Sequence, residues 1–376
     1  MTRLVLIIIF FMISLLSVFK APMYYLWLLA IGVTEYPLVF AAIVAALLIM
    51  GFWIHKYQLA GTIIGVVALV LFLSPIVRAY VLAGSLQKQI DASLHVNSLG
   101  KTDKPFSVVK MLSSVPKVAY TSITYVNYPD IQLNLDFYQA QVGGKRPCVV
   151  VIHGGSWSSG DSKQVPELNS YLAQSGYNVA AINYRMAPQY QSPFPVEDVR
   201  NAMNYLKAHA NNLHIDTNNF VLLGRSAGAQ IALVAAYTLK DSGIKGVIDF
   251  YGPADMVWGY SVPASPLVMD SRGVMERYLG GTYNNAQKSY FDSSPLEFVN
   301  RTSTPTLIIH GENDVLVAYE HSRRLDLKLE QYGVKHYWLK LPWATHGFDF
   351  NLTGPGGQLS TYAVTRFLDS VSPPTP

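Results

Sequence analysis

The sequence predicts an α/β protein, a mainly parallel sheet with helices on both faces, preceded by an N-terminal transmembrane helical segment. Three observations carry that expectation. From about Val118 onward, strand-like apolar runs alternate with helix-like stretches, a pattern that gives a parallel sheet covered on both sides. Residues suited to nucleophilic chemistry stand just past the ends of those runs, where such sheets collect their reactive groups. Ahead of Arg78, four long runs carry no Asp, Glu, Lys or Arg at all.

Those runs are Leu4–Phe19, Ala21–Thr34, Tyr36–Ile54 and Tyr57–Val77, and they hold the apolar excess of a chain that is 50% hydrophobic and 14% charged. The last two match the roughly 20 residues that cross a bilayer, and all are apolar round the whole helix, without the polar face of a surface helix. About three spans are expected within 1–82, the first uncleaved and extended through Ala21–Val33 with a kink at Pro22. Trp27, Tyr36, Trp53 and Tyr57 fit interfacial anchoring. With an inside N-terminus, Arg3, His55 and Lys56 fall in the cytoplasm and Lys20, Arg78 and Lys88 outside, too even a split to orient the segment. Residues 83–117, with Gly100-Lys101-Thr102-Asp103-Lys104-Pro105, read as a linker.

The net charge of +4 is spread without a basic run and makes no case for nucleic acid. One cysteine, Cys148, excludes an intrachain disulfide and falls in an apolar run, so it reads as a small buried hydrophobe. Oligomeric state is not legible.

Residues 118–376 are expected to form the α/β domain that carries these reactive groups. Val118–Val126 and Ile131–Tyr138, separated by Asn127-Tyr128-Pro129-Asp130, predict an antiparallel hairpin. Further strands are expected at Cys148–His153, Val179–Tyr184, Phe220–Leu223, Gly246–Tyr251, Thr306–His310 and His336–Leu341. Helices are expected near Val165–Ser175, Val196–Ala210, Ala227–Leu239, Ala318–Tyr332 and Gln358–Ser370. An aromatic-rich insertion, 252–301, reads as a lid or acyl-binding wall.

The run Val221–Leu223 leads into Gly224-Arg225-Ser226-Ala227-Gly228 and then a helix. In such an elbow the serine projects above the sheet from a tight strand-to-helix turn. The strand ending at His153 leads into Gly154-Gly155-Ser156-Trp157, whose glycine pair leaves backbone amides free to hold an oxyanion. The strand ending at His310 leads to Asp314, and the last strand to His346. Ser226, Asp314 and His346 thus follow the Ser…Asp/Glu…His order of the α/β-hydrolase arrangement. In that chemistry the histidine takes the serine proton and the acid fixes its tautomer. Glu312 is the alternative acid. His153 and His310 read as orienting or structural histidines. Asp198 reads as a first-turn acid favoured by the helix dipole, and His209 and His214 as solvated.

These motifs, with Tyr184-Arg185-Met186-Ala187-Pro188, Phe194-Pro195-Val196-Glu197-Asp198-Val199 and His346-Gly347-Phe348, resemble the esterase/lipase branch of the α/β-hydrolase family, near its hormone-sensitive-lipase-like and acetyl-esterase groups. The resemblance covers about Val118–Leu368. It implies Ser226 as nucleophile, Asp314 as acid and His346 as base, with the amides of Gly155, Ser156 and Ala227 as oxyanion donors. His153, Trp157 and Asp255 are candidate substrate contacts. No metal or cofactor is required. Ser156-Trp157 stands where many lipolytic relatives carry a third glycine, and this HGGxW form also resembles feruloyl-esterase-like proteins and aryl-formamidases. The expected function is a membrane-anchored serine hydrolase cleaving small-molecule or lipid carboxylic esters through an acyl-enzyme, with small acyl groups favoured. An amide or formamide hydrolase and a non-catalytic membrane sensor or scaffold are the alternatives.

Overall fold

The computed structural model describes residues 1–95 and 104–374. Most of the expected Gly-Lys-Thr-Asp-Lys-Pro linker stretch lies outside the described residues. Four helices come first: α1 (Thr2–Ser14), α2 (Tyr24–Glu35), α3 (Pro37–Ile49) and α4 (Gln58–Ser93). Among the described residues α4 is the one helix long and apolar enough to cross a membrane; α2 and α3 would add a second only as a broken span bent by 86°. The sequence leads one to expect about three spans, and prolines account for the difference. Pro37 opens α3, and Tyr36 before it leaves the helical region at φ −124°, ψ 44°, because proline lacks the amide proton and disfavours helical geometry at its predecessor. Pro22 falls in the break between α1 and α2. The apolar sequence is thereby cut into short helices.

α1, α3 and the first half of α4 pack as a bundle. At one end, Arg3 Nε donates to the Leu47 carbonyl at 2.8 Å, and Ile7 lies against Gly61 and Gly65. At the other end Ser17 Oγ donates to the Leu71 carbonyl at 3.0 Å, and α2 turns away from α3. The bundle's outer surface is apolar and exposed, with Val5, Ile9, Met12, Val39, Ile63 and Val70 among the exposed residues.

α4 does not stop at the expected boundary near 82 but runs on to Ser93. Its second half joins the domain, where Leu86 and Ile90 are fully buried in one core layer.

That domain holds eight strands: β1 (Thr121–Asn127), β2 (Gln132–Tyr138), β3 (Arg146–Ile152), β4 (Asn178–Ile182), β5 (Ile215–Arg225), β6 (Ile244–Phe250), β7 (Thr306–Gly311) and β8 (His336–Leu341). Their order in the sheet is β1-β2-β4-β3-β5-β6-β7-β8. β1 pairs antiparallel with β2, and β2 antiparallel with β4; all later pairs are parallel. The helices between them are α5 (Pro166–Gln174), α6 (Phe194–Ala208), α7 (Ala227–Thr238), α8 (Met256–Ser261), α9 (Ser271–Leu279), α10 (Tyr283–Asp292), α11 (Glu320–Gln331) and α12 (Pro355–Val371). Val199 of α6, Ile231 of α7 and Leu325 of α11 fill one core layer. Leu172 of α5 and Phe367 of α12 fill the other, together with α4. β3 and β5 are fully or almost fully buried where they pair, as a strand covered on both faces must be. α8, α9 and α10 make up the insertion after β6.

Candidate active site

β5 ends at Arg225, and Ser226 follows at φ 52°, ψ −121°, before α7 begins at Ala227. A residue with a β-carbon rarely adopts positive φ, and the cost is of order 1–3 kcal/mol. The surroundings enforce it. A β-carbon at Gly228 would lie 2.3 Å from the carbonyl oxygens of Ile152 and His153, and one at Gly224 would lie 2.2 Å from the Gly228 carbonyl oxygen. Only glycine at both positions lets the turn press against the end of β3. The Ser226 amide is spent on the Phe250 carbonyl at 2.9 Å.

The loop after β3 lies beside this turn. Gly155, Ser156 and Trp157 all have positive φ, at 122°, 54° and 58°, so three successive peptide planes turn away from strand geometry. The amides of Gly155 and Ser156 find no acceptor among the described residues. Ala227, the first residue of α7, has no intrahelical acceptor for its amide either. Burial places Ala227 at the floor, beside the helix N-terminus that favours negative charge.

The loops after β7 and β8 are bonded to each other. The Glu312 amide donates to the Leu341 carbonyl and the Asn313 amide to the Ala344 carbonyl, each at 3.0 Å, and Thr345 Oγ1 donates to the Asn313 carbonyl at 3.1 Å. This places Asp314 Oδ2 at 2.6 Å from His346 Nδ1. The same oxygen meets His310 Nε2 at 3.1 Å, while Oδ1 accepts the amides of Leu316 and Val317 at 2.8 and 2.9 Å. Burial alone would raise the Asp314 carboxyl; the charge of His346 and hydrogen bonds from His310 and His346 outweigh it and hold the group well below the usual carboxylate range. Glu312 is exposed, and the carboxylate that meets His346 is that of Asp314. His310 Nε2 also meets the Val317 carbonyl at 3.1 Å. Nε2 therefore carries the proton, and Nδ1 accepts from Ser322 Oγ at 2.7 Å. No hydrogen bond links the Ser226 hydroxyl to His346 among the described residues; in sites without substrate such bonds are often long and tighten on binding.

A buried ion pair backs the histidine. Arg225 Nε bonds Asp349 Oδ2, and Tyr251 donates its hydroxyl to Asp349 Oδ1. The Tyr251 ring lies 4.3 Å from the His346 ring, centroid to centroid. Burial, and then the charge of Asp349, push the Tyr251 hydroxyl far above its ordinary range, so it remains a donor. From the N-terminal segment, Trp27 Nε1 donates to the His346 carbonyl at 3.0 Å. Trp27 was expected to be an interfacial anchor; it is 8% exposed and packs against this loop.

Ser226, Ala227, Ser156, Trp157 and Asp314 line one cavity of about 480 Å³, a size typical of small-molecule sites. Trp157 is stacked on Tyr278 with centroids 4.5 Å apart and donates Nε1 to Gln230 Oε1 at 2.9 Å. His153 does not line the cavity. Its Nδ1 meets the Gly154 carbonyl at 2.7 Å, and its ring stacks on Tyr184 at 4.3 Å. Burial lowers its pKa. Asp255 is also placed elsewhere: it caps α8 by accepting the Trp258 amide at 2.9 Å and pairs with Arg324 at 3.1 Å. Asp198 is not the first-turn acid expected from the sequence: α6 begins at Phe194 and the acid of its first turn is Glu197, while Asp198 is fully buried and accepts Arg185 Nε at 3.0 Å and the Tyr128 hydroxyl at 2.8 Å. His209 and His214 are exposed. Cys148 is buried in β3, and burial pushes its thiol up, away from the thiolate.

Several residues at the site carry no signal in the sequence. His321 lines the cavity; burial first, then the neighbouring His310 and Arg324, push its pKa down to about 3, which keeps the ring neutral. Lys20, Ala21 and Pro22 also line it, although they lie about two hundred residues before Ser226. Asp349 is visible only as a carboxylate near His346, and its partner Arg225 only as the variable residue of the elbow.

Searches among known proteins agree with this architecture. The probable carboxylic ester hydrolase LipM of Mycobacterium tuberculosis is 28% identical over 68% of this chain and 60% of its own length. Esterase LipC of the same organism is 28% identical over 60% of this chain and 58% of its own length. The chain thus spans about three fifths of the curated relatives it matches. Among solved structures, the esterase Est2 of Thermogutta terrifontis superposes with a TM-score of 0.57 at 21% identity, covering 69% of this chain and 94% of that one. That likeness establishes the α/β-hydrolase fold. The BD-FAE family model matches residues 135–329, the span that holds the elbow, the glycine loop and Asp314, and the chain belongs to the BD-FAE family.

Proposed function

We propose that the protein is a membrane-anchored serine esterase working through an acyl-enzyme. The observation that carries this reading is the joint placement of a strained, cavity-lining Ser226 and the Asp314–His346 pair, 2.6 Å apart. His346 Nε2 accepts the Ser226 proton as Oγ forms a bond to the ester carbonyl carbon. Asp314 holds Nδ1 protonated, so that Nε2 is the free acceptor and the imidazolium is stabilised. The amides of Gly155, Ser156 and Ala227 receive the oxyanion, each such donor contributing about 3–4 kcal/mol in comparable sites. Collapse breaks the bond to the alcohol oxygen, which leaves with the proton from His346. Water, deprotonated by the same histidine, then releases the acid and restores Ser226.

For the anchor, the supporting observation is the exposed apolar surface of α1, α3 and the first half of α4, which water would solvate poorly and lipid would not. In this reading the three helices enter the bilayer together, with residues 1–3 and 50–57 at the far end. α2 lies across the end nearest the domain.

The test is labelling of the full chain by a fluorophosphonate, together with hydrolysis of p-nitrophenyl acetate. Wild type is labelled and active. Ser226→Ala is unlabelled, and its kcat falls by about a millionfold. A folded wild type that takes no label would favour the non-catalytic scaffold instead.

A further inference from the structure

The cavity that holds Ser226 is walled partly by the anchor. Its exposed lining residues are Lys20 and Pro22 on one side and Val262, Pro263 and Ser265 on the other, so its mouth lies between the α1–α2 connection and the α8–α9 loop. The two sides are joined where the Tyr24 amide donates to the Leu267 carbonyl at 3.0 Å. The wall continues into the anchor's own core, because Val315 and Leu316 both line the cavity and pack on the helical bundle.

The α1–α2 connection sits at the end of the bundle where α2 turns by 86° from α3, the level at which an anchored chain leaves the bilayer. The side chains beside the mouth suit that level. Phe19, Tyr25 and Leu28 are 62%, 77% and 44% exposed on the anchor side, and Val262 and Leu267 are 52% and 67% exposed on the insertion side. Lys20 is the single lysine or arginine of the lining, and an ammonium on an apolar stem is at home among lipid headgroups. Aromatic and aliphatic groups exposed on both rims of a site would be costly if they faced water, and they match the boundary between headgroups and acyl chains.

We propose that this cavity is loaded from the bilayer surface and that its substrate is a long-chain lipid ester whose chains remain in the membrane while the ester group reaches Ser226. The proposal rests on the membrane-anchored esterase reading, and the reaction is the same hydrolysis. The α1–α2 connection and the α8–α9 loop act as the two lips of a lateral entrance.

The experiment uses the full chain in phosphatidylcholine vesicles containing dioleoylglycerol, with p-nitrophenyl acetate as the water-borne ester. Leu267→Asp and Tyr25→Asp place a charge on either lip without touching the cavity lining. Each is expected to slow oleate release about tenfold, since the lost insertion of one such side chain is worth at least that factor, while acetate hydrolysis stays within about twofold. Hydrolysis of the acetate with no release of oleate overturns the proposal and leaves the esterase reading intact. So does an equal change, or no change, on both esters in both variants. Failure on both esters with no fluorophosphonate label overturns the two readings together.

Discussion

Two apolar helices of this chain have opposite fates. α7 is buried from Ala227 to Tyr237, under the sheet and behind Ser226. The first half of α4 is as apolar, yet Leu59, Ile63, Val67 and Val70 stand exposed along it. Sequence alone does not separate them by hydropathy, for both are apolar round their circumference. Length and neighbours do. α7 is 12 residues long and bracketed by strands that need cover, whereas α4 is 36 residues long and packs only on other apolar helices until its second half reaches the domain. Two architectures are thus drawn from one composition.

A charge placed on each helix tests that contrast most sharply. Ala232→Asp on α7 buries an unpaired carboxylate beneath the sheet and should unfold the domain or cost several kcal/mol, about 3–5 or more, read by thermal denaturation. Val70→Asp on α4 should leave domain melting nearly unchanged and weaken membrane retention by about 2.5–3.5 kcal/mol, read by flotation with vesicles. Equal loss of fold in both would erase the distinction.

The next effect concerns what the domain itself gives the site. Asp314→Asn should lower kcat by about ten-thousandfold, because an amide no longer fixes the tautomer of His346. Glu312→Gln should change it by less than about twofold. The pH dependence of stability follows from the same carboxylate. Its folded pKa lies well below its unfolded value, so its contribution is fully present above about pH 4 and is lost as pH falls toward the folded pKa. Asp314→Asn should therefore flatten the acid limb of a stability–pH curve measured by denaturant titration.

The smallest effect is the N-terminal segment's contribution to the same histidine. Trp27→Phe keeps the ring but removes the 3.0 Å hydrogen bond to the His346 carbonyl. A net loss of about 1 kcal/mol at that loop corresponds to roughly a fivefold fall in kcat.

Legibility followed the same divide. The eight strands, the hairpin edge and the Ser226, Asp314 and His346 loops could be read because each rests on a local pattern: apolar runs, glycine at a turn, a polar residue past a strand end. Within the N-terminal helical segment the composition was legible and the path was not, because Pro22 and Pro37 decide how a uniform apolar run is folded. His321, Asp349 and Trp27 were out of reach for another reason. Each is defined by a partner far away in the chain, as Asp349 is by Arg225 and Tyr251, and no local spacing encodes such a meeting. Asp255 and Asp198 went the other way: both stand out in the sequence as carboxylates, but a helix cap claims the first and an arginine the second.

Glu35 shows what the attachment of the N-terminal helices implies. Its carboxylate accepts the Gly356 and Gly357 amides at 2.9 and 3.4 Å, and its carbonyl accepts Asn351 Nδ2 at 2.7 Å. The start of α12 therefore has its amides satisfied by a residue some three hundred positions upstream. A shortened version beginning near Val118 would lose those acceptors and bare the apolar layer that α4 covers. Nor would grafting an unrelated hydrophobic leader in its place restore them. This N-terminal stretch is not an interchangeable mooring: it is masonry of the enzyme's own back wall.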